Sequence, residues 1–87
     1  MDNIEVLEGY DVMFDCEVLE ENATAIWYKD GVELTASESQ LISTSGKRHY
    51  LEIISADLND AGTYSVKINN RERRGYLQIK GIQRRQI

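Results

Sequence analysis

Eighty-seven residues make one small domain, and 41% hydrophobic and 29% charged residues without a single proline describe a folded chain, not a disordered one. No apolar run approaches the ~18 residues of a membrane span, and one Cys with one His excludes an intrachain disulfide and a structural zinc site of Cys and His ligands. Fifteen acids against ten bases leave a net charge of -5, which argues against nonspecific nucleic-acid binding.

Ile4 and Val6 form a first short strand before Glu8-Gly9. Val12, Phe14, Cys16 and Val18 alternate with Met13, Asp15 and Glu17, the period of two expected of a strand buried on one face. Ala25 and Trp27 repeat it before Asp30-Gly31, a turn signal, after which Val32 to Leu34 returns as a short strand. Leu41 and Ile42 sit in a weak strand ending at Ser43 to Gly46. Leu51 and Ile53 alternate with Tyr50, Glu52 and Ile54. Ser55 to Asp60 holds one helical turn, with Ser55 and Asp57 as candidate caps. Tyr64, Val66 and Ile68, then Leu77 and Ile79, supply the last two strands. No apolar stripe keeps a 3.6-residue period for three turns, so long helices are not expected. Short strands separated by turn signals predict an all-β sandwich. Its expected core is Val12, Phe14, Cys16, Val18, Trp27, Leu34, Leu51, Ile53, Tyr64, Val66, Leu77 and Ile79.

Charge is unevenly spread. From Met1 to Tyr28 there are eight acids and no Lys or Arg; from Lys67 onward there are seven bases and one acid, Glu72. Acidic first strands beside a basic last strand would soften each other's field. The arginines of the expected hairpin tip, Arg71, Arg73 and Arg74, are candidates for steering an acidic partner. Chemistry is poorly represented. His49 is the only imidazole and is expected to face solvent; Glu20 and Glu21 are adjacent in a loop and, with Asp30, lack an ordered calcium-ligand spacing. The six glycines, Gly75 among them, read as isolated turn residues, with no phosphate loop.

Cys16, Trp27 eleven residues on, Leu51-Glu52-Ile53 and Asp60-Ala61-Gly62-Thr63-Tyr64-Ser65-Val66 form an ordered set from Ile4 to Lys80. It resembles the immunoglobulin fold of the intermediate (I-set) type. That resemblance implies an immunoglobulin-like β-sandwich of two antiparallel sheets, with Trp27 between them and Tyr64 bonded to backbone a few residues upstream. It also implies an Arg partner for Asp60 at the fourth strand, but Ser37-Glu38-Ser39-Gln40 offers none. Val66 stands where the family places its second bridging Cys, so no disulfide is expected, and Cys16 reads as an inert core thiol. A missing bridge fits a reducing compartment. It outweighs the sequon Asn22-Ala23-Thr24, which would suit the alternative class, a cell-surface adhesion or receptor domain.

The runs Trp27-Tyr28-Lys29-Asp30-Gly31-Val32-Glu33-Leu34 and Gly46-Lys47-Arg48-His49-Tyr50-Leu51-Glu52-Ile53 resemble intracellular I-set domains of the titin, obscurin, myosin-binding protein C and myomesin group. The implied function is that of a non-enzymatic, force-bearing spacer and docking module in the cytoplasm, at the sarcomere or myofibril. Its partners would be neighbouring immunoglobulin-like domains or other sarcomeric proteins; no nucleic acid, membrane insertion, cofactor, metal or small-molecule ligand is expected. Ile4 and Val6 would run parallel to Leu77 and Ile79 as the mechanical strand pair. Residues 1–80 are expected to form the domain and 81–87 a tail or the start of a linker, and a domain starting directly at Met1 is expected of an excised segment.

Overall fold

The computed structural model describes residues 1–82. Eight strands follow one another: β1 (Ile4–Leu7), β2 (Val12–Glu17), β3 (Ala25–Lys29), β4 (Val32–Glu33), β5 (Gln40–Ser45), β6 (Arg48–Ile53), β7 (Gly62–Ile68) and β8 (Arg71–Lys80). A single 3-10 turn, Leu58–Asp60, lies between β6 and β7. The strands form a five-stranded sheet in the order β1-β8-β7-β3-β4 and a three-stranded sheet in the order β2-β6-β5. All pairs are antiparallel except β1 with β8, which run parallel from Ile4 opposite Leu77 to Leu7 opposite Lys80.

Local chemistry sets the reversals. Asp30 and Gly31 both have positive φ, 49° and 84°, the geometry of a tight two-residue hairpin whose twist matches the flanking strands. Gln40–Ser45 extends as strand through Ser43 to Ser45, where polar composition suggested an end. Pairing with β6 carries it, Ser43 opposite Tyr50 and Ser45 opposite Arg48. The helical turn is capped by Asp57 rather than Ser55: Asn59 N–H donates to Asp57 Oδ1 at 2.8 Å and Asp57 N–H donates to Asp60 Oδ2 at 2.9 Å. Asp60 therefore spends its carboxylate on the turn, where an Arg partner was the family's pattern. Ser55, at φ 51°, is tied instead through its N–H to Asp11 Oδ1 at 2.8 Å.

Between the sheets lie Val12, Phe14, Cys16, Trp27, Leu51, Ile53, Ala56, Tyr64, Val66, Ile68 and Leu77, with Val18, Leu34 and Ile79 half-buried against them. Ala56 and Ile68 join the expected core. Trp27 is 1% exposed and stands directly opposite Val66 in the β3–β7 pair. The Phe14 and Tyr64 rings bridge the sheets with centroids 5.1 Å apart and planes tilted by 30°. Gly75 is not a turn residue: it lies within β8 opposite Tyr64. A Cβ there would sit 2.8 Å from the Asp2 carbonyl oxygen and 3.0 Å from Phe14 Cε1, so the position admits only hydrogen.

Candidate functional site

Cys16 in β2 and Val66 in β7 occupy opposite sheets of the core, and the thiol is free and buried. The tyrosine corner is closed: Tyr64 OH donates to the Asp60 carbonyl at 2.6 Å. Burial, chiefly, and then the nearby carboxylates of Asp60, Asp30 and Asp57 push the Tyr64 phenol well above its ordinary value of 10.0. Asp30 bridges to the same corner by accepting the Thr63 N–H at 2.9 Å, and its carboxylate occupies the space a side chain at Gly62 would fill.

His49 is fully buried, contrary to the expectation of a solvent-facing imidazole. It shares the inner face of β6 with Leu51 and Ile53, so the period of two already implied this placement. Its Nδ1 lies 3.0 Å from Thr44 Oγ1, while Nε2 has no partner. Cys16 is its register partner across β2–β6. Glu20 pairs with Arg71, and Asp30 sits on the β3–β4 turn beside Thr63, so the three loop carboxylates do not come together. Among the described residues, no group of three or more His, Cys, Asp or Glu could hold a metal ion.

The expected mechanical residues are directly paired: Ile4 opposite Leu77 and Val6 opposite Ile79. Glu8 N–H donates to the Lys80 carbonyl at 2.8 Å, one residue past the end of β1. Because backbone groups alternate sides along a strand, Val6 and Ile4 also direct their N–H groups toward β8. The Lys80 ammonium lies 3.2 Å from Glu5 on the same pair.

The arginines are not at a hairpin tip. The turn is Asn69-Asn70, with Asn69 at φ 56°, and Arg71, Arg73 and Arg74 lie on β8 itself, all exposed. Arg71 pairs with Glu20, and Arg74 Nε lies 3.3 Å from Glu72. The charge balance is thus only partly that of acidic first strands beside a basic last one. Glu5 meets Lys80 and Glu20 meets Arg71, but Asp15 and Glu17 belong to the other sheet and pair with Arg48 of β6, at 2.6 and 3.4 Å. Those two carboxylates hold the Arg48 guanidinium above its ordinary value, Asp15 by hydrogen bonding first. A cleft of about 490 Å³ between the sheets is lined by Glu17, Val18, Leu19, Lys47, Arg71 and Arg73.

Comparison with known proteins agrees with this architecture. The chain is 47% identical over 64 residues to cardiac-type myosin-binding protein C of Mus musculus, an alignment covering 71% of this chain and 5% of that protein. The chain therefore spans only a small part of the relatives it matches. Domain I10 of titin superposes with a TM-score of 0.89 at 35% identity, covering 92% of this chain and 91% of that one. A chain from a complex of titin M10 with an obscurin-like 1 immunoglobulin domain superposes at 0.89 with 25% identity, covering 95% and 89%. The immunoglobulin I-set domain family matches residues 1–80. On these residues, this topology and this match, the chain belongs to the immunoglobulin I-set family, and its relatives are muscle proteins.

Proposed function

We propose that the chain is a non-enzymatic spacer of a muscle scaffold protein, resident in the cytoplasm at the sarcomere, that resists stretch through the β1–β8 pair. The observation carrying this reading is the parallel register from Ile4–Leu77 to Leu7–Lys80. A pull that separates the two chain ends draws these strands in opposite directions along their length. Their ladder bonds are then strained together in shear, and none can open alone. Resistance to such a pull is set by the barrier to rupture, not by equilibrium stability. The free buried thiol of Cys16, in a fold that needs no bridge, supports a reducing compartment. Single-molecule pulling tests the reading. The domain stretched through its ends should rupture at a higher force than the same domain stretched between Ser39 and Ile54, the open end of the β5–β6 hairpin, whose antiparallel ladder opens one rung at a time. Equal forces in the two geometries would refute it.

Docking is a second reading, supported by the gathering of Lys47, Arg71 and Arg73 around one cleft on an otherwise acidic domain. The fitting partners are immunoglobulin-like or other sarcomeric proteins with an acidic face. Calorimetry against such purified domains should show binding that Arg73→Glu with Arg74→Glu abolishes while leaving the rupture force unchanged. Binding that survives the charge reversal would count against this surface.

A further inference from the structure

β8 is longer than its partner. β1 pairs only with Leu77 to Lys80, and the Tyr76 N–H beyond it is capped by Asn3 Oδ1 at 2.9 Å. From Arg71 to Arg74, β8 has β7 on one side and, among the described residues, no strand on the other, whereas the Asp2 backbone lies against Gly75. The direction of its backbone groups follows from two bonds. Tyr76 N–H donates to Asn3 and the Lys80 carbonyl accepts from Glu8, so both face away from β7. Outward-facing groups recur every second residue in an antiparallel pair, which sets the N–H and C=O of Glu72 and Arg74 along the open edge. Side chains have the complementary period. Arg71 and Arg73 continue the inner face of Gly75 and Leu77 and line the cleft with Glu17, Val18, Leu19 and Lys47. A strand-free stretch of sheet edge is thus flanked by a basic trough, and an added strand displaces one existing contact, the Arg73 Nη1 donation to the outward Glu72 carbonyl at 3.4 Å.

We infer that this edge receives an extended acidic segment of a partner protein as an added strand. The inference rests on the docking reading and deepens it. Four residues of edge, Arg71 to Arg74, accommodate a segment of roughly 13 Å at the usual rise of a strand. Every second side chain of that segment enters the trough, where Asp or Glu meets Arg73 and Lys47, neither of which has an ion-pair partner among the described residues. The other side chains lie on the outer face beside Glu72 and Arg74. Main-chain bonds supply affinity, and the alternating acids supply selection. The competing explanation is that the arginines merely blunt an edge that would otherwise aggregate.

The test uses the 87-residue chain and four capped nine-residue probes: alternating Glu and Val, alternating Lys and Val, and two Glu-Val peptides, each N-methylated on one of the two alternate sets of amides. The Glu-Val peptide should give saturable shifts of the Glu72 and Arg74 amide resonances, and Arg73→Glu should abolish them. Methylating the set that faces the edge should weaken binding by about tenfold, the loss of one to two net backbone bonds. The Lys-Val peptide should not bind. If both methylated peptides bind as well as the parent while Arg73→Glu abolishes binding, strand addition is refuted and charge-steered docking stands. If the Glu-Val peptide fails to bind, or binds regardless of Arg73→Glu, the proposal is overturned and the arginines serve only to blunt the edge. If the purified acidic domains fail as well, the docking reading falls with it.

Discussion

Val6→Pro separates mechanical from thermodynamic stability. Val6 lies at the middle of β1, half-buried, opposite Ile79, with its N–H directed into the β8 ladder. Proline removes that donor and fixes φ near -65°, away from strand geometry. One ladder bond is worth about 0.5–1.5 kcal/mol net, and the acceptor left behind adds to the loss, so a total of about 1–2 kcal/mol is expected. If the β1–β8 contact is intact until rupture, all of this appears as a lower barrier, and unfolding under a constant pull should accelerate about 5–30-fold. Ile42→Ala is the comparison. Ile42 is half-buried in β5 of the other sheet, which pairs with neither β1 nor β8, and its truncation lowers equilibrium stability without removing a β1–β8 ladder bond. Constant-force unfolding rates, plotted against the equilibrium loss of each variant from urea titration, should place Val6→Pro well above Ile42→Ala. If the two fall on one line, β1–β8 is not where the domain yields, and the shear argument is wrong.

Three further outcomes test the packing. Trp27→Ala should cost about 3–5 kcal/mol in urea unfolding, the usual range for emptying a buried aromatic site; a small shift in midpoint would contradict its place between the sheets. Gly75→Ala, in contrast to Gly81→Ala, where the nearest atoms stand at 3.8 Å, should cost about 1–3 kcal/mol, because the new Cβ collides with the Asp2 backbone and the Phe14 ring. Equal melting temperatures for these two alanine variants would show that the close approach yields without strain. Tyr64→Phe should lose about 1 kcal/mol at pH 8 through the missing bond to Asp60. The folded phenol holds its proton above the ordinary value of 10.0, so its contribution is complete below that pH. It is lost as pH climbs further, by up to about 1.4 kcal/mol per unit, because the unfolded chain releases the proton first. The gap between wild type and Tyr64→Phe should therefore narrow above pH 10 in urea titrations; parallel curves would refute the linkage.

Local pattern carried most of the fold. Alternation in Val12 to Cys16 and Leu51 to Ile53 set the inner faces, Asp30-Gly31 set a hairpin, and Val66 in the bridging position announced a free thiol. These features depend on period and turn geometry, which neighbouring residues decide among themselves. His49 was equally legible, since it shares the period of Leu51, but its polar side chain argued for solvent and the face it occupies overruled that preference.

What the chain alone could not settle depends on which strands meet across long separations. Asp15 and Glu17 look like counterparts for the basic end until β2 is found beside β6, where Arg48 takes them. Gly75 resembles a turn until Phe14 and Asp2 close over it. The arginines of residues 71–74 read as a loop tip because nothing in their composition says that β8 begins at Arg71 or that β1 stops short of them. A strand's period states which way its side chains point, but an edge is open or covered only through its neighbour, and that neighbour lies some seventy residues away, beyond the reach of any local rule.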